Sequence, residues 1–148
     1  MDTNKARVLA ERVAAKMLGD DGASQMLGMR IVQVDVGHAI VEMEIRGDMI
    51  NGHGTCHGGM IFTLADSAFA FTCNGTNVVT VASGCNIEFV IPARLGDVLT
   101  AEGREVAVQG RSSICDICVT NQDGKTVALF RGRGHRIQGQ HHFPPESL

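Results

Sequence analysis

The chain has 148 residues, 44% of them hydrophobic, and carries 13 basic against 16 acidic side chains for a formal net charge of -3. That length suits a single domain with a substantial core, and the lack of any basic run gives no electrostatic footprint for nucleic acid or an anionic membrane. Five cysteines, Cys56, Cys73, Cys85, Cys115 and Cys118, lie mostly in apolar runs, where thiols behave as small hydrophobes, so a reducing cytoplasm is expected rather than a disulfide framework. The first residues scatter charges through an apolar background and offer no unbroken h-region, which argues against both a signal peptide and a membrane span.

The hydrophobic period then gives the elements in chain order. Residues Asn4 to Leu18 read as an amphipathic surface helix with Val8, Ala15 and Leu18 on its apolar stripe. From Met29 the period becomes two, and Ile31 followed by Ile40, Val41, Met43 and Ile45 predicts a hairpin turning at Val36-Gly37-His38. Met49 to Gly59, rich in glycine and without an apolar repeat, reads as a loop. Met60 to Cys73 is apolar nearly all round, leaving only Thr63, Asp66, Ser67 and Thr72 polar, which is the pattern of a helix inside a core. Four alternating segments follow, Val78 to Ile91, Val98 to Val108, Ser112 to Asn121 and Thr126 to Ile137, and the Asn121-Gln122-Asp123-Gly124 turn makes the last pair antiparallel. This order predicts one α+β domain over residues 1–137, a long antiparallel sheet wrapped on a central helix, with an irregular, disordered tail over 138–148.

The informative stretch is Asn51-Gly52-His53-Gly54-Thr55-Cys56-His57-Gly58-Gly59, continuing through Phe62 and Leu64 to Ala65-Asp66. With this pattern the sequence resembles the hotdog-fold acyl-CoA thioesterases of the PaaI, phenylacetic acid degradation, type. The likeness extends through Ala82 to Cys85, Phe89 to Asp97 and Thr126 to Gly132, and so covers most of the chain. It implies a hotdog fold, hydrolysis of aryl or hydroxyaryl acyl-CoA thioesters, and homodimers that often pair into tetramers. It also implies that Asn51 orients the attacking water, that His57 precedes the oxyanion glycine Gly58, and that Ser83 supports the water or the acid.

Physical chemistry leads to a similar site. A carboxylate on a buried helix face with Phe62, Phe69 and Cys73 is desolvated, which raises its pKa unless it is paired, and so Asp66 is the candidate catalytic acid or base. Gly58 and Gly59 open the same helix, where backbone N–H groups lack partners and face the positive end of the helix dipole, as an oxyanion requires. Eight residues separate Gly58 from Asp66, which is about 12 Å along a helix axis, too far for both to act on one carbonyl. The two halves of a site must then come from different chains of a two-fold dimer.

The other assignments have plainer alternatives. Asn51-Gly52 suits an ordinary turn, and Ser83 a strand residue satisfied by its neighbours. His53, Cys56 and His57 offer zinc ligands but no fourth, so no metal is expected. No cofactor is expected either, because coenzyme A belongs to the substrate. Arg131, Gly132 and Arg133, with Arg94 and Arg111, are candidates for its phosphates. A hotdog hydratase using His57, or a non-catalytic acyl-CoA-binding module, is the rival function. Whether Asp66 would activate water or attack directly stays open at this level.

Overall fold

The computed structural model describes all 148 residues, Met1–Leu148. Helix α1 (Thr3–Asp20) and the short α2 (Gly22–Met26) lead into strands β1 (Arg30–Asp35) and β2 (His38–Glu44). After a 3-10 turn at Gly47–Met49 comes helix α3 (Gly58–Cys73), then β3 (Val78–Phe89), β4 (Val98–Gln109), β5 (Ser112–Thr120) and β6 (Thr126–His141). Together the strands form one six-stranded sheet in the order β1-β2-β4-β5-β6-β3, every pairing antiparallel. Helix α3 lies across one face of this sheet, the hotdog arrangement expected from the sequence, and no helix is long and apolar enough to cross a membrane.

Inward residues of alternate strand positions, Val41, Met43, Leu99, Ala101, Ile117, Val119 and Phe130, close a single core around Leu64, Ala65, Ala68 and Phe69 of α3. Two glycines set how near the helix lies. A Cβ on Gly132 would stand 2.8 Å from the Phe69 ring, and one on Gly103 would collide with Thr72 Oγ1 and Ile117, so side chains at either position would push the helix off the sheet. The sheet ends differently on its two sides: β1 is flanked by α1, whereas the 12-residue edge strand β3 leaves Val81 to Asn86, Glu88 and Phe89 exposed.

Two expectations need correction. The buried face of α1 is Leu9, Ala10, Val13 and Ala14, while Val8 and Ala15 face solvent. Positions 9, 10, 13 and 14 form one stripe of the helix, and it is this stripe that the contact with β1 and α3 covers. The tail is ordered further than its composition suggests. Strand β6 runs to His141, paired with Val78, and Asn77 then binds the next residue but one, its Oδ1 accepting from Phe143 N–H and its Nδ2 donating to Phe143 O, each at 2.9 Å. Arg12 lies over the Phe143 ring at 4.6 Å from its centroid. These partners lie 66 and more residues away along the chain, so no local pattern announces them.

Candidate active site

Helix α3 begins where the sequence places two glycines, and the residue before them fixes the start. His57, in extended conformation, caps the helix: its Nδ1 accepts from Gly59 N–H at 2.9 Å, and its carbonyl accepts from Met60 N–H at 2.9 Å. Because Nδ1 is the acceptor, the neutral ring carries its proton on Nε2. Gly59 therefore has its donor occupied. Gly58 N–H has no acceptor within the protomer and sits at the positive end of a 16-residue helix. The Phe89 ring lies over Gly58, 3.1 Å from where a Cβ would be, and is itself 53% exposed. Beside them Ile61, Phe89, Ile91 and Ala93 line a hollow of about 300 Å³.

The four polar residues of α3 divide unequally. Thr63 Oγ1 donates to Gly59 O at 2.8 Å, Thr72 Oγ1 to Ala68 O at 2.7 Å, and Ser67 Oγ bonds Ser24 Oγ at 2.7 Å. Asp66 has no hydrogen bond or ion pair within the protomer, although it is half-buried. Burial, and after it the charge of Asp21, holds its carboxyl above the ordinary aspartate value. A carboxylate so placed is unusually basic and has free lone pairs. Cys85 of β3 is close enough to feel it, the thiol being raised first by burial and then by Asp66.

The remaining sequence candidates are not gathered around Asp66. Asn51 is occupied in its own loop, where Oδ1 accepts from His53 N–H at 2.9 Å and Thr55 N–H at 3.2 Å. Ser83 sits at a bulge of β3, donating to Arg133 O at 3.1 Å and accepting from Arg133 Nε at 3.0 Å. The Arg131-Gly132-Arg133 run is split by strand alternation: Gly132 faces Phe69, while Arg131 and Arg133 are exposed on the other face. Arg131 is already bidentate to Asp116 at 2.6 and 2.8 Å. The hollow on that face, about 510 Å³ and lined by Glu102, Arg104, Asp116 and Arg131, touches neither Gly58 nor Asp66. His53, Cys56 and His57 do not join any cluster of three or more acidic, histidine or cysteine side chains able to hold a metal.

Sequence reasoning missed three residues close to this site: Asp21, Ser24 and Phe89. Asp21 followed three positions later by Ser24 is a readable helix-capping signal, but nothing local shows that it stands near Asp66. The exposed Phe89 reads as one more alternating strand residue until the ring is seen over Gly58.

Comparison with known proteins fits this geometry. The family model of the thioesterase superfamily matches residues 53–128, which include the whole of α3. The chain is 46% identical over 127 residues to the acyl-coenzyme A thioesterase PaaI of Escherichia coli K12, covering 85% of this chain and 90% of that protein. The structure of the E. coli PaaI protein from the phenylacetic acid degradation operon superposes with a TM-score of 0.88 at 42% identity, covering 90% of this chain and 97% of the other. A Streptococcus mutans UA159 protein solved with acetyl CoA bound superposes with a TM-score of 0.73 at 29% identity, over 76% of this chain and 90% of its own.

Proposed function

The chain belongs to the thioesterase superfamily and is a PaaI-like acyl-CoA thioesterase, and from that premise we propose that Asp66 of one protomer and Gly58 of its partner form each active site of a homodimer. The observation that carries the reading is the pair of unsatisfied groups on one core helix, Gly58 N–H and the Asp66 carboxylate, in a segment whose other polar groups have partners. In this reading the thioester carbonyl oxygen accepts from Gly58 N–H, and the N-terminus of α3 stabilises the charge that develops on it. Asp66 either takes a proton from the water that attacks the carbonyl carbon, or attacks that carbon itself to give a mixed anhydride that water then hydrolyses; in both routes coenzyme A leaves as the thiol and the acyl group as the acid. His57 fixes the oxyanion turn by capping it through Nδ1.

The exposed β3 edge supports the dimer. A 12-residue strand at the sheet edge, bearing Val81 and Phe89 at 46% and 53% exposure, is a surface that natural sheets cover. Asn51 and Ser83 are then candidates to hold the attacking water once the partner is in place. Arg133, exposed and without a carboxylate partner, is a better phosphate ligand than Arg131, which Asp116 neutralises. The acyl group is assigned as aryl or hydroxyaryl, on the relatedness to a protein of phenylacetic acid degradation and on the ring of Phe89 beside Gly58. Pairing of dimers into tetramers is part of the same proposal, and neither metal nor prosthetic group is needed.

Two measurements test it. Free-thiol release from phenylacetyl-, hydroxyphenylacetyl- and long-chain acyl-CoA should give the highest kcat/KM for the aryl thioesters; a long-chain preference would overturn the acyl assignment alone. Refolding Asp66→Asn together with Gly58→Ala should restore activity, since a mixed dimer has one site with both lesions and one with neither. With random pairing, roughly a quarter of wild-type activity returns by this symmetry. Confirmed mixed dimers without activity would end the shared-site model.

A further inference from the structure

We infer that Asp21 is a positioning residue for this hydrolysis: through Ser24 and Ser67 it ties the α1–α2 corner to the central helix at the residue beside Asp66, and it keeps a second carboxylate behind the first. The inference rests on Asp66 being the reacting group.

A directional chain of hydrogen bonds carries the argument. Asp21 caps α2, its Oδ1 accepting from Ser24 N–H at 3.0 Å and its Oδ2 from Ser24 Oγ at 2.5 Å. Ser24 has a single hydroxyl proton and gives it to Asp21, so at the 2.7 Å contact with Ser67 it must accept. Ser67 thus donates to Ser24, and Ser24 donates to Asp21. Both hydroxyls are sequestered, Ser24 at 1% and Ser67 at 8% exposure. Packing alone does not require them there, since replacing both members of a buried polar pair by apolar groups of like shape is often nearly neutral. What the chain adds is a fixed rotation of α3 about its axis at Ser67, and with it the direction of Asp66.

It also fixes a charge. The charge of Asp21 at the α1–α2 corner is felt at Asp66, and that of Asp66 at the Cys85 thiol on β3, while Asp66 has no lysine, arginine or histidine partner within the chain. A neighbouring anion disfavours ionisation of Asp66 and so makes its carboxylate a stronger base and a stronger nucleophile. Either mechanism of thioester hydrolysis gains from that.

Asp21→Asn keeps the cap, because asparagine caps a helix as well as aspartate does, but removes the charge together with the acceptor of the Ser24 hydroxyl, so the acid limb reads the charge and kcat reads charge and chain together. We expect the acid limb of its kcat/KM profile to move to lower pH and kcat to fall about fivefold, with KM within about twofold, by the dependence of proton transfer on base strength. Ser67→Ala keeps the charge and cuts the chain, so kcat should fall while the limb stays. A direct titration of the ¹³C-labelled Asp66 carboxyl by NMR should shift downward in Asp21→Asn. An unmoved limb and an unmoved Asp66 titration in that variant overturn the proposal. If Asp21→Asn does not fold, Asp21→Ser, another good cap without charge, carries the same readouts. Wild-type turnover by Asp66→Asn would instead overturn the underlying catalytic reading, while the NMR titration still reports on the Asp21–Asp66 pair.

Discussion

The two ends of α3 are built on opposite principles. At the C-terminal end the buried side chains Thr72, Asn74 and Asn77 all have hydrogen-bond partners. Asn74 Nδ2 donates to Ala70 O and Thr80 O, and its Oδ1 accepts from Thr80 N–H at 2.8 Å and bonds His142 Nε2 at 2.7 Å. Asn77, in the left-handed conformation at φ 73°, clasps Phe143 with both amide atoms. At the N-terminal end and along the face that follows it, Gly58 N–H and Asp66 have no partner, Phe89 is exposed, and the adjoining strand edge is bare. One end closes the fold, and the other leaves its hydrogen-bonding capacity unspent within the chain. Unsatisfied polar groups are costly in a core, and the two on α3, Gly58 N–H at its start and the Asp66 carboxyl at its middle, are the groups the proposed site would use.

The contrast is broken most severely at Asp66. Asp66→Asn should lower kcat on the order of 1000-fold, as read by thiol release, while raising the melting temperature at neutral pH. The folded carboxyl titrates above its unfolded value; ionisation therefore opposes folding at neutral pH, and the advantage of asparagine disappears as the pH falls through the folded value toward the unfolded one. With Asp66 reacting as its carboxylate, as proposed, wild-type activity should be lost on acidification at a higher pH than an ordinary aspartate would give. An acid limb at or below the ordinary aspartate value would contradict this.

Gly58→Ala comes next, with kcat expected to fall about 100-fold because a Cβ pressed against the Phe89 ring displaces the oxyanion donor. A rise in KM at constant kcat would instead make Gly58 a binding residue. At the sealed end the effects should fall on stability alone. Asn74→Ala strands the Thr80 N–H in the interior and should cost about 2–3 kcal/mol, measured by urea unfolding, with turnover per folded molecule unchanged. His142→Ala should cost about 1 kcal/mol. Burial, and after it Lys16, lowers the His142 value below that of a free histidine, so its contribution is present above the unfolded value and lost as the pH falls through the folded one. Loss of activity without loss of stability in either variant would erase the distinction between the two ends.

By itself the sequence determines the architecture and the chemistry of the main groups. A shift from period 3.6 to period 2, a helix apolar on nearly every side and turn residues at Gly37 and Asn121 are local signals, and they give the α+β sheet on a central helix with strand bounds close to those observed. Asp66 and Gly58 are legible for the same reason: a lone acid in an apolar helix and a glycine at its start conflict with local packing rules, and such a conflict can be read without coordinates. Tertiary structure alone decides the rest, because it depends on contacts between distant parts of the chain. The face α1 buries, the clasp of Asn77 on Phe143, the separation of Gly132 from Arg131 and Arg133, and the Asp21–Ser24–Ser67 chain each set a residue against a partner that periodicity does not register. Asn51 and Ser83 show the same limit from the other side, since their oxygen atoms, free on paper, are bonded to Thr55 and Arg133 once the chain is folded.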